Sequence, residues 1–147
     1  MLFEKMKEAF DTIVGEGQEM FAKITNKAQF TRIVQTCYLM GVADGEFDGD
    51  EKKALAGLIS KKMPQFNIAD ITSCIDDASK LTDFDLDAGK NELIGNITKA
   101  SGDDAEQIVQ AAIMIGKADG DFDYNEKALV RQLAEGMGVN ARKYGLA

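Results

Sequence analysis

The sequence predicts an all-α protein of about seven helices, forming one compact domain over 1–147, and three observations carry that expectation. Apolar residues recur at i, i+3, i+4 and i+7 along most of the chain. No run of four or more residues alternates cleanly between apolar and polar, as a half-buried strand does. A single proline, Pro64, argues against long loops.

The first helix, about 3–22, is amphipathic, with Leu2, Phe3, Met6, Phe10 and Ile13 along one side. Its plainest role is to pack on the core, and docking to a partner is the alternative. The second, 27–43, carries Phe30, Ile33, Val34, Cys37 and Met40 at helical spacing. The third, 49–62, carries Ala54, Leu55, Leu58 and Ile59, and it stops before Pro64, which has no N–H to continue the ladder. Helices at 68–79 and 84–100 form the middle of the chain. The sixth, 103–117, carries Ala105, Ile108, Ala112 and Ile115. The seventh, 124–137, carries Leu129, Val130 and Leu133, and a short C-terminal turn follows.

Composition narrows the chemistry. Apolar residues make up 45% and charged residues 29%, the balance of a folded globular chain and not of a disordered one. There is no histidine, which excludes imidazole catalysis and histidine metal ligation. The net charge of −8 argues against nucleic acid, whose phosphates need basic patches, and favours cations or basic protein surfaces. No run is apolar enough to span a membrane, and the N-terminus lacks the pattern of a signal peptide, so the expected location is the cytoplasm. Cys37 and Cys74 lie in apolar surroundings without CxxC spacing and read as reduced core thiols.

The strongest feature is an internal repeat. Residues 34–52, VQTCYLMGVADGEFDGDEK, align without gaps with 109–127, VQAAIMIGKADGDFDYNEK, identical at ten of nineteen positions. Chance would give about one or two. Each copy, about 30–62 and 105–137, is an apolar helix, an acidic loop and a second apolar helix. Two such hairpins are expected to pack about a pseudo-twofold axis.

The loops resemble a calcium-binding EF-hand but do not match one. From Asp44, positions 1, 3, 5 and 6 are Asp44, Glu46, Asp48 and Gly49, but Leu55 stands where the bidentate glutamate belongs. In the second copy Asp119, Asp121 and Asp123 are followed by Tyr124 in place of glycine and Val130 in place of the glutamate. Helix capping explains much of the pattern. Asp48 with Glu51, and Asp123 with Glu126, fit a capping box that opens the following helix. Gly45 and Gly120 sit where a residue of positive φ closes the preceding one. Phe47 and Phe122 are expected to plug the core beneath the loops.

Capping leaves four acids over. Asp44 and Asp119 stand at a helix C-terminus, where the macrodipole disfavours negative charge, and Glu46 and Asp121 add to it. Residues 44–51 hold five acids and no base. A hard divalent cation with oxygen ligands, Ca²⁺ being the first candidate, would relieve the repulsion. The candidate metal ligands are therefore Asp44, Glu46, Asp48, Glu51, Asp119, Asp121, Asp123 and Glu126. A third acidic run, TDFDLDAGKNE at 82–92, alternates Asp83, Asp85 and Asp87 with Phe84 and Leu86. It reads as an acidic first turn with two core anchors, ahead of a ligand role.

Together, ADGEFDGDEK, ADGDFDYNEK, DFDLDAGKNE and the amphipathic start LFEKMKEAF resemble the tellurite-resistance TerB family over essentially the whole chain. The resemblance implies an all-helical, cytoplasmic domain in a metal-dependent stress-response system. It implies a partner in the integral membrane protein TerC, which would bring the domain to the inner membrane face, and it implies a metal-binding acidic surface. Carried onto this chain, that surface is Asp44, Glu51, Asp119 and Glu126 first, and Glu46, Asp48, Asp121 and Asp123 second.

Three functions stay open on the sequence. The first is a cation-responsive binding module with no direct membrane insertion. The second is an adaptor that needs no ion and docks basic protein segments on its acidic face. The third, a carboxylate–metal hydrolase, lacks the histidine, serine triad or phosphate-cradling loop that should accompany it, so no catalytic residue is assigned.

Overall fold

A computed structural model describes residues 24, 26–43, 49–117 and 123–146 of the chain. These form six α-helices and a short 3₁₀ turn, with no strand among the described residues. The helix expected at 3–22, the loop glycines Gly45 and Gly120, and Phe47 and Phe122 lie outside them.

Helix α1, Lys27–Ala43, is central and packs against four of the other five. Asn26 opens it, its side chain accepting from the Ala28 N–H at 2.8 Å. Phe30, Ile33, Val34, Cys37, Tyr38, Leu39 and Met40 are all buried. A helix apolar on most sides belongs inside a bundle, and that is where it lies. Its buried Thr36 donates to the Arg32 carbonyl at 2.7 Å, which satisfies that hydroxyl.

Helix α2, Gly49–Lys62, buries Leu55, Ala56, Leu58 and Ile59 and ends two residues before Pro64. It packs on α3, Ile68–Phe84, which Asn67 caps by accepting from the Ala69 N–H at 2.7 Å. In the turn between them, the ring of Phe66 stacks on Phe30 with centroids 4.2 Å apart.

The middle of the chain departs from the expected boundaries. Helix α3 runs on to Phe84 instead of stopping at 79, and α4 covers Leu86–Ile97 instead of 84–100. The reason is tertiary. Ala78, Ser79 and Thr82 are buried, and the Thr82 hydroxyl pairs with that of Tyr38 of α1 at 2.7 Å. These contacts carry the helix past its expected end. Asp85 alone then separates the two helices: its N–H donates to the Leu81 carbonyl at 3.3 Å and its carboxylate accepts from the Ala88 N–H at 3.0 Å. A reversal at one residue puts its neighbours at the apex. Phe84 and Leu86, expected as core anchors, are therefore turned outwards, 94% and 49% exposed. Gly89 and Leu93 face the core in their place.

Helix α5, Gly102–Lys117, buries Ala105, Ile108 and Ala112 and packs on α1. Near their N-termini Gln29 of α1 donates to the Asp104 carbonyl and to the Gln107 side chain, each at 3.0 Å. Gln29 and Asp104 are 75 residues apart, the offset of the sequence repeat. The second helices of the two copies find different neighbours: α2 lies on α3, whereas α6, Tyr124–Gly136, lies on α5. Past α6, Gly138 adopts φ 74° and lets Val139 donate back to the Ala134 carbonyl at 2.8 Å. The 3₁₀ turn Ala141–Tyr144 then clasps α5: Lys143 lies 3.1 Å from the Glu106 carboxylate, and the Tyr144 hydroxyl donates to the same group.

Candidate functional site

The second acidic loop leads into α6, and its last acids are used in opening that helix. Asp123 is extended at φ −75°, ψ 173°, and its carboxylate accepts from the Glu126 N–H at 2.8 Å. Glu126 reaches back to accept from the Asp123 N–H at 3.3 Å. This is the capping box expected from the spacing. Glu126 is only 2% exposed, so its charge is held against the positive end of the helix and turned away from solvent. Oδ1 of Asp123 serves the cap; Oδ2 takes no part in it.

In the first copy Asp48 lies outside the described residues, and Glu51 is half-buried in the first turn of α2 beside exposed Asp50. The next residue, Lys52, donates to Ser79 of α3, whose hydroxyl donates onward to Asp83 at 3.2 Å. The conserved spacing of the two copies gave no sign of this chain of bonds. Ser79 is buried and polar within an apolar face, and that is the only signal it left in the sequence.

Of the eight candidate ligands, Glu51, Asp123 and Glu126 are described, and the structure pairs the last two. Asp44, Glu46, Asp48, Asp119 and Asp121 lie outside the described residues. Among the described residues no three carboxylates or thiols come together as a metal cluster. The candidate donors are all carboxylate oxygens, a set suited to Ca²⁺ or Mg²⁺ and not to a soft metal. Capping makes Glu126 the least available of them. The third acidic run separates into distinct tasks: Asp83 accepts from Ser79, Asp85 caps α4, and Asp87 is exposed in its first turn.

A groove of about 520 Å³ opens between α1, α4 and α6. Leu39, Ile94 and Leu129 contribute apolar side chains to it, and Asp87, Lys90 and Asn125 polar ones.

The thiols are held protonated. Burial, first of all, pushes Cys37 up to about 12; burial and then the nearby Asp77 carboxylate push half-buried Cys74 up to about 11. Neither is a thiolate at neutral pH, which suits core packing and not redox chemistry.

Residues 30–147 match a family model described as tellurite resistance protein TerB. No curated protein and no solved structure matches the chain.

Proposed function

Because this chain belongs to the tellurite-resistance TerB family, we propose that it acts as a helical interaction module whose two acidic loops take up a divalent cation, Ca²⁺ first among the candidates. The observation that supports this most is the capping box of α6. Asp123 and Glu126 have a structural task there. The acids of the repeat that still need an explanation are Asp119 and Asp121, with their twins Asp44 and Glu46. A bound cation would offset their mutual repulsion and bias the geometry of the flanking helices. Asp48, Glu51 and Asp123 would complete the ligand set, with Glu126 as a support that orients the start of α6.

The module works in the cytoplasm, at the inner membrane face, through an integral membrane partner of the TerC type. This part rests on the family. No described helix is long and apolar enough to cross a membrane. The reading is of a binding module and not of an enzyme. A second reading, an adaptor that needs no ion, is favoured by one observation: exposed Phe84 and Leu86 set among three aspartates.

Titration with Ca²⁺, Mg²⁺, Mn²⁺ and Zn²⁺, followed by NMR and calorimetry, tests the cation reading. Shifts confined to 44–51 and 119–126 are expected. Asp44→Asn with Asp119→Asn should abolish them and keep the fold. Absence of any such shift at millimolar ion would sink the reading. Pull-down of the membrane partner with and without a chelator then separates the ion-dependent module from the ion-independent adaptor.

A further inference from the structure

We propose that the α3–α4 turn and the groove beside it form a docking surface for a short, basic amphipathic helix of a partner protein. The proposal rests on reading the chain as an interaction module, but it does not need the cation.

Among the described residues four large apolar side chains are exposed: Phe84, Tyr124, Ile68 and Leu86. Two of them are chain neighbours of residues that line the groove. Leu86 immediately precedes Asp87, and Tyr124 immediately precedes Asn125, both of which line the groove. Phe84, two residues before Leu86, is 94% exposed. Scattered apolar residues need no explanation, but Phe84 and Leu86 flank Asp85 in one turn beside a groove of mixed polarity, and such a paired exposure marks an interaction site.

The groove is long enough to seat a short helix. Its walls run from Asp87 to Ile94 on α4 and from Asn125 to Gln132 on α6. Each is about two helical turns, roughly 10 Å. An amphipathic helix lays its apolar face into such a groove. Half-buried Ile94, Ala128 and Leu129 would meet that face.

Charge selects the partner. Residues 81–89 carry Asp83, Asp85 and Asp87 and no base, and Lys90 is the one base among the described residues that line the groove. Lysines and arginines on the rim of the incoming helix complement these acids. An anionic lipid surface would be repelled by them. A second copy of the chain would bring two acidic turns together.

The surface is also rigid. Asp85 is bonded in both directions, Thr82 is pinned to Tyr38, and Gly89 is pressed against the Leu81 backbone. Phe84 is thus held outwards before any partner arrives, which removes an ordering cost from binding.

The test uses a short helical peptide with leucines on one face and lysines on the other, and a control with serines for leucines. Binding is measured by calorimetry and NMR on the full chain at physiological salt, with EDTA present. The leucine peptide should bind and shift resonances of α4 and α6. Phe84→Ser with Leu86→Ser, the first fully and the second half exposed, should keep the fold and weaken binding about tenfold or more. Asp83→Asn with Asp87→Asn should weaken it and flatten its salt dependence. Equal binding of the serine peptide, or an unchanged affinity in the Phe84→Ser, Leu86→Ser variant, overturns the proposal. So does saturable binding of the wild-type chain to phosphatidylserine vesicles, or a dimer, that this variant abolishes. Loss of the peptide with a normal calcium titration sustains this proposal alone. Loss of calcium uptake in Asp44→Asn with Asp119→Asn, with peptide binding intact, concerns the cation reading alone.

Discussion

Gly89 of α4 lies so close to Leu81 of α3 that a Cβ on it would come within 2.5 Å of the Leu81 carbonyl. Backbone faces backbone here, so no side chain can move aside. Gly89→Ala gains about 1 kcal/mol of helix propensity but must force the two helices apart, at about 1–3 kcal/mol or more. A net loss of about 1–2 kcal/mol is expected in urea unfolding. Gly95, in the same helix with nothing within 4 Å of its Cβ position, is the control: Gly95→Ala should stabilise by about 0.5–1 kcal/mol. A Gly89→Ala chain as stable as wild type would refute the close approach.

The capping box of α6 allows structure and ligand chemistry to be separated at one residue. Asparagine caps as well as aspartate, because the acceptor is one side-chain oxygen. Asp123→Asn should therefore leave stability within about 0.5 kcal/mol, whereas Asp123→Ala should cost about 0.5–2 kcal/mol. If Asp123 is also a cation ligand, Asp123→Asn weakens Ca²⁺ uptake with no change in melting. Thermal melts beside calcium titrations of the two variants check both halves. A large loss of stability in Asp123→Asn would mean that the charge, and not the cap, matters there.

Much of this was legible in local pattern. Lys27–Ala43 and Gly49–Lys62 are bounded where expected, because Asn26, the acidic start at Asp50–Glu51 and Pro64 are local signals. The capping box of α6 was legible for the same reason. The α3–α4 turn was not. Its alternation of aspartates with Phe84 and Leu86 reads as a helix start with anchors. What decides it is Thr82 meeting Tyr38 and Gly89 meeting Leu81, contacts made across the fold. The groove and the Lys52–Ser79–Asp83 chain were illegible because they join different helices.

The C-terminal clasp should respond to pH at both ends. The Tyr144 hydroxyl, and then Lys143, hold Glu106 below the usual glutamate value of about 4.5. A depressed acid stabilises fully above that value, and the contribution is lost as pH falls through its folded one. Burial and the bond to Glu106 raise Tyr144 above its ordinary 10.0, so its contribution is lost as pH rises past that. Tyr144→Phe should cost about 0.5–1 kcal/mol at neutral pH, at the low end for a charged acceptor because water screens it. Its deficit against wild type should shrink below about pH 4 and above about pH 10. A deficit constant across that range in urea titrations would show that Tyr144 acts through packing alone.

The two thiols should differ in reactivity in the order of their burial. Cys37 is fully enclosed and pushed up to about 12; Cys74 borders a surface groove with Thr31 and Asp77 and reaches about 11. Only the thiolate attacks an alkylating agent, so both are slow at pH 8. Cys74 can react from the folded state, because its groove admits the reagent. Cys37 sits on α1 in the core, and modification must wait for the chain to open. In native buffer at pH 8, iodoacetamide should label Cys74 slowly and leave Cys37 untouched over the same hours, while urea exposes both to rapid labelling. Labelling of Cys37 at the rate of a free thiol in the folded protein would contradict its position in the core, and would reopen a thiol role that burial argues against.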